Sequence, residues 1–193
     1  MSEARTEIPG NINGNHDLDL GTHAAYLFET NSEKQEKLFE ICKECLRVKN
    51  VGLLYIAGKQ GVKGIRLSLK DSGVDVSSRE RMRQLRLVDS EEWYISQDKP
   101  QRFKSNEELG EQFRKSSSEV VSAGYGYLSV ISETDMLVRK GFFKEYKQFD
   151  ASISQNIREF KAMFLCAFDK RELLAAGVTN PTTVLEEAHD FLI

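Results

Sequence analysis

The sequence predicts an α/β fold, a three-layer sandwich in which a largely parallel sheet carries helices on both faces. Two observations predict it. Apolar runs such as Val51–Ala57, Tyr127–Ser132 and Ala162–Phe168 show no polar alternation, as expected of strands covered on both sides. Between them lie stretches whose apolar residues recur at three- and four-residue steps, so strands alternate with helices.

The elements follow in order. Residues 1–21 are polar, rich in turn-formers and without apolar periodicity, and read as a disordered tail that contains His16. His23–Phe28 reads as a short strand. Ser32 and Gln35 have capping-box spacing, and Leu38, Ile41, Cys42, Cys45, Leu46 and Val48 mark one buried helical face running to about Lys49. The strand 51–57 enters a glycine turn and a helix from about Val62 to Ser72. Leu85–Asp89 is the next strand, followed by a helical turn near Glu91–Ile95. Asn106–Ala123 is a helix closed by Gly124. A helix is expected from Gly141 to about Phe160 after the strand that ends near Ser132, and two short helices around Pro181 after the strand 162–168.

With 193 residues and 40% apolar composition the chain is sized for one domain, spanning 22–193. Its 27 basic and 30 acidic side chains are interspersed and net −3, so no basic footprint for nucleic acid is present. No apolar run reaches the roughly 20 residues of a membrane span, and no signal-peptide pattern opens the chain. A cytoplasmic location is expected. Three cysteines fit reduced thiols.

The turn Gly58-Lys-Gln-Gly-Val-Lys-Gly-Ile65 sits where a phosphate loop would, after a strand and before a helix. A working loop needs G-x-x-x-x-G-K-[ST], for backbone donors, a phosphate lysine and a magnesium hydroxyl. Counted from Gly58, the second glycine position holds Lys63, the lysine position Gly64 and the hydroxyl position Ile65. Gly58, Lys59, Gly61 and Lys63 therefore form a degenerate phosphate loop. Binding or sensing is expected rather than catalysis.

Cys42-Lys-Glu-Cys45 has C-x-x-C spacing but falls in mid-helix on the buried stripe, where packing competes with a redox or zinc reading. Neither a second cysteine pair nor an H-x-x-x-H spacing completes a zinc site, so neither metal nor cofactor is expected. Glu133 ends a strand at the rim where open α/β sheets build binding crevices. It either binds there, with Asp135 close by, or caps the next helix or pairs with Arg139. His23 and Cys166 each read as a core residue or as a ligand; an imidazole and a thiolate together also suit a soft metal. Asp169 orients a ligand or caps a helix. The aromatics Tyr125, Tyr127, Phe142, Phe143, Tyr146 and Phe149 are core or an apolar cage for a methylated ligand.

Several pieces together resemble the MEDS domain, a sensory domain of methanogen and methylotroph regulators, itself similar in architecture to the KaiC and RecA ATPases. They are His23-Ala-Ala-Tyr26, Leu53-Leu-Tyr-Ile-Ala57, Leu67–Asp75, Gln84-Leu85, Gly124-Tyr-Gly-Tyr-Leu128, Ser132–Met136, Tyr146, Leu165–Asp169 and His189. The resemblance implies a RecA/KaiC-like scaffold and a non-enzymatic module for one-carbon or other hydrocarbon-derived ligands. It implies a pocket drawn from His23, Tyr26, Tyr55, Tyr125, Glu133, Tyr146, Cys166 and Asp169, with His23, Glu133 and Cys166 meeting at one rim if the His23 strand runs antiparallel. Family members often carry a helix-turn-helix or kinase part. None is seen here, so a signalling or transcriptional partner, and possible homo-oligomers, are expected. The chain departs from the family's pattern at Ser129, Lys147 and Ala167, where an arginine, an acid and a polar residue are usual. The alternative is a residual nucleotide-binding or nucleotide-hydrolysing protein using Lys59 or Lys63 with Glu133.

Overall fold

A computed structural model describes residues 21–157 and 159–193. The expected tail, including His16, lies almost wholly outside these residues. Six strands form one all-parallel sheet: β1 (His23–Phe28), β2 (Val51–Ala57), β3 (Leu85–Asp89), β4 (Tyr127–Glu133), β5 (Ala162–Asp169) and β6 (Phe191–Leu192), in the order β3-β2-β4-β5-β1-β6. The three strands that read as continuous apolar runs, β2, β4 and β5, are buried along their whole length. That is what double coverage of a parallel sheet demands.

One face is covered by α1 (Asn31–Arg47), α2 (Gly61–Asp71) and α3 (Val76–Arg81), whose Leu38, Ile41, Cys42, Ile65, Leu69 and Val76 pack on Tyr26, Tyr55, Ile131 and Leu165. The other face carries α4 (Ser90–Tyr94), α5 (Asn106–Ser122), α6 (Asp135–Arg139), α7 (Phe143–Asn156), α8 (Lys170–Ala175) and α9 (Pro181–Glu186). Its core is aromatic: Tyr94, Phe113, Tyr146 and Phe149 meet Phe164 and Phe168 of β5. The architecture is the expected three-layer α/β sandwich.

Local chemistry corrects several boundaries. Thr30, not Ser32, caps α1, its hydroxyl accepting from Glu33 N at 3.2 Å. The helix expected over 141–160 is α7, which begins two residues later and ends at Asn156; Gly141, with a φ of 80°, separates it from the short α6 before it. Within the expected pair of short helices near the end of the chain, Phe191–Leu192 instead adds a sixth strand beside β1. β1 runs parallel to β5, pairing Ala25 with Cys166. His23 therefore starts its strand at the amino rim, and the antiparallel edge that would have brought it to Glu133 does not occur.

Candidate functional site

Strand alternation sorts the expected pocket residues onto two faces. His23 and Cys166 project to the aromatic face, among the α7 side chains. Glu133 projects to the α1 face, beside Lys34 and Tyr55. The three-residue pocket is corrected: His23 and Cys166 meet, and Glu133 is separated from both by the sheet.

On the aromatic face a polar cluster is embedded in the core. Helix α7 supplies Tyr146, Asp150 and Ser154, at four-residue steps that stack on one face. Ser154 Oγ donates to Ala188 O at 2.9 Å, so the 2.7 Å contact with His23 Nδ1 is one in which the imidazole N–H donates to the hydroxyl. His23 Nε2 then faces Asp150 Oδ1 at 3.1 Å and Cys166 Sγ at 3.5 Å. Tyr146 donates its hydroxyl to Cys166 Sγ at 3.2 Å. His189, in the turn before β6, donates Nδ1–H to Leu185 O at 2.8 Å. Its Nε2 approaches Asp150 Oδ2 at 3.2 Å but at an angle that makes no hydrogen bond, so this buried nitrogen has none. The side chains of His23 and His189 are 0% exposed and that of Asp150 3%.

Burial sets the electrostatics. The Cys166 thiol is held well above its ordinary pKa by desolvation and then by the Asp150 charge. The Tyr146 phenol is raised for the same reasons, with Cys166 contributing. Burial lowers His189 against the opposing pull of Asp150. Phe168 packs edge-on to His189, and Tyr94 edge-on to Tyr146. The arrangement offers two imidazole nitrogens, a carboxylate and a sulfur beside an apolar aromatic wall.

The α1 face holds a different arrangement. Glu133 accepts from Lys34 Nζ at 2.6 Å and from the Tyr55 hydroxyl at 2.5 Å, all three buried. Desolvation raises the Glu133 pKa against Lys34, and burial raises the Tyr55 pKa well above its ordinary value. Glu133 does not pair with Arg139, which binds Glu172.

The degenerate phosphate loop is occupied by the protein's own groups. Only residues 58–60 separate β2 from α2. Lys59 N, where a phosphate oxygen would be received, donates to Asp135 Oδ1 at 3.2 Å. A Cβ on Gly58 would collide with that carboxylate and with Glu133. Gln60 bonds Ser68 and Gln35, while Lys59 and Lys63 point to solvent. Gly61 allows the turn through a φ of 67°.

The remaining expected residues are dispersed. Tyr26 donates to Glu33 O at 3.3 Å on the α1 face, and burial raises its pKa to about 12. Tyr125 lies at the amino rim, donating to Met82 O at 3.1 Å. Asp169 caps α8 by accepting from Arg171 N and pairs with the Arg171 guanidinium, which helps hold its pKa low against burial. Asp150, which completes the polar cluster, was not among the expected residues, and His189 had only the resemblance to mark it. A groove of about 420 Å³ lined by Leu53, Arg86, Ser116, Val120 and Leu128 lies at the amino ends of the strands and includes no residue of either cluster.

Comparison with known proteins gives two findings. The family model described as MEDS, methanogen/methylotroph, DcmR sensory domain, matches residues 22–182. The crystal structure of a KaiC-like protein from the hyperthermophilic archaeon Pyrococcus horikoshii OT3 superposes with a TM-score of 0.56 at 8% identity, covering 79% of this chain. The match spans 62% of that protein's length, and at this identity it speaks to the fold alone. No curated protein matches the chain.

Proposed function

The chain belongs to the MEDS family of sensory domains, and from that premise we propose that it senses a one-carbon or other small hydrocarbon-derived molecule without transforming it. The ligand is bound at the cluster of His23, Asp150, Cys166 and His189, and the change is relayed to a signalling or transcriptional partner. The observation that carries this reading is the cluster itself. Four polar side chains from β1, α7, β5 and the turn before β6 converge in an otherwise aromatic core, where polar groups are costly unless used or satisfied. Their shielding limits a ligand to a few heavy atoms, with its apolar part against Phe168 and Tyr146.

A relay is built into the same contacts. His23 donates its backbone N–H to Asp190 Oδ2 and its carbonyl accepts from Asp190 N, each at 2.7 Å. A ligand that shifts His23 or His189 therefore shifts the β6 segment, biasing one conformation over another.

A thermal-shift screen of one-carbon amines, thiols and halides against Mg-ATP tests the reading. A ligand at 100 times its Kd adds about 2.7 kcal/mol of stability, roughly 5–10 °C for a domain of this size. Stabilisation by a one-carbon ligand, abolished by Asp150→Asn, is expected. Stabilisation by Mg-ATP alone would favour the nucleotide reading, which the filled phosphate loop does not support.

A further inference from the structure

We propose that His23 Nε2, His189 Nε2, Asp150 and Cys166 Sγ bind one divalent transition-metal ion of the zinc class. Hydrogen positions carry the argument. Each histidine has its Nδ1 proton committed outward, His23 to Ser154 and His189 to Leu185 O. In the neutral tautomers so fixed, both Nε2 atoms present bare lone pairs. His23 Nε2 faces one oxygen of the Asp150 carboxylate at 3.1 Å, and His189 Nε2 lies 3.2 Å from the other, off its lone-pair axis. Lone pair against anion is repulsive, and His189 Nε2 is a fully buried nitrogen with no hydrogen bond. Something positive belongs between them: two added protons or one cation.

The donor set and the spacing favour the cation. One ligand atom from each of the four residues lies within 4.8 Å of the other three. Tetrahedral zinc with bonds of about 2.0–2.3 Å needs donor separations of about 3.3–3.8 Å, and the contacts of Cys166 Sγ with His23 and with Asp150 are 3.5 and 3.4 Å. Two imidazoles, a carboxylate and a thiolate suit a borderline-soft ion. Charge also balances: a divalent ion with one thiolate and one carboxylate is neutral and meets both Nε2 atoms, whereas one added proton leaves one of them bare and two bury a net positive charge.

The surroundings are those of metal ligands. Liganding histidines donate their other N–H to a carbonyl or hydroxyl, which fixes ring and tautomer, and both do so here. The Tyr146 hydroxyl donates to the sulfur. Ser154 is exposed on α7, so the hydroxyl that holds the outward nitrogen of His23 reaches the surface. Binding displaces the Cys166 proton to solvent and requires no redox partner. This inference deepens the sensory reading and rests on it for the use of the metal: amines, thiols and halides are themselves ligands for such an ion.

The test is metal content and cobalt spectroscopy on the full chain. Elemental analysis after zinc reconstitution and removal of free ion should give about one zinc per chain, retained in Cys42→Ala/Cys45→Ala. Cobalt(II) should bring up a thiolate-to-metal charge-transfer band that is lost in Cys166→Ser. Ser154→Ala, at an exposed position, should fold normally and weaken zinc about 10- to 100-fold by freeing the His23 ring. Absence of zinc after reconstitution, a cobalt band that survives Cys166→Ser, or zinc lost with Cys42 and Cys45 would each overturn the proposal. None of these readouts uses an organic ligand, so a metal that binds while no one-carbon compound does would leave the site standing and remove the sensory reading.

Discussion

Lys34 Nζ lies 2.6 Å from Glu133 Oε2, an ion pair that ties the first helix to the end of β4 with both side chains shut from water. Removing one member of a buried pair strands the other, at about 3–5 kcal/mol. Lys34→Met is therefore expected to destabilise strongly, and Lys34→Met/Glu133→Leu to recover most of the loss in urea denaturation. The sign of the pH dependence follows from Glu133, whose folded pKa is raised. Its protonated form is the favoured one in the fold, so its contribution is present below the ordinary glutamate pKa and is lost as pH rises through the raised folded value. Without Lys34 the raise grows. The deficit of Lys34→Met should be larger at pH 8 than at pH 5, and a deficit flat in pH would contradict the assignment.

Mg-ATP is expected neither to be hydrolysed nor to stabilise the protein. The lysine and hydroxyl that phosphoryl transfer uses are Gly64 and Ile65, and Asp135 already occupies the Lys59 amide. Phosphate release assays decide it: magnesium-dependent turnover above background that disappears in Glu133→Gln would refute the expectation.

Cys42 and Cys45 are buried on α1, with Cys45 Sγ 3.4 Å from Ser129 Oγ. Burial lifts Cys42 well above and Cys45 to about 11, which makes both poor nucleophiles at neutral pH. Cys42→Ala with Cys45→Ala should cost about 1–2 kcal/mol per site as lost packing and leave any one-carbon ligand response unchanged. A changed response, measured by the same thermal shifts, would show that the pair has a role beyond packing.

Gln84 is 2% exposed, and its amide nitrogen donates toward Leu46 O and Val51 O at 3.2 Å each, joining the end of α1 to the start of β2. Gln84→Leu leaves those carbonyls short of a donor and should cost about 1–3 kcal/mol. Gln84→Glu should be no better at neutral pH and improve on acidification, since a carboxylate there faces carbonyl oxygens. Equal stability of Gln84→Leu and the parent in guanidinium would sink the idea.

The fold was legible because its central strands are buried on both faces, which leaves an unmistakable run such as Met163-Phe-Leu-Cys-Ala-Phe168. What escaped was short or set by distant partners. Val76–Arg81 is polar almost throughout, and Phe191–Leu192 is too brief to show a period. The site was half legible for a related reason. Whether Cys166 shares a face with His23 or with Glu133 depends on register, and only the pairing of Ala25 with Cys166 and of Glu133 with Ala167 decides it. Asp150 did leave a signal, a carboxylate four residues from both Tyr146 and Ser154 on one helical stripe, but charges on amphipathic helices ordinarily face solvent.

The contact between His23 and Asp190 spans 167 positions of sequence, and this sets a timetable. β1 precedes the turn holding His189 by most of the domain. During synthesis the first imidazole of the pair therefore emerges long before the second. The cluster is thus a seal closed at the end of folding, since pairings this remote form only after the intervening chain has been ordered. Whatever it holds can recognise only a domain whose two ends have met.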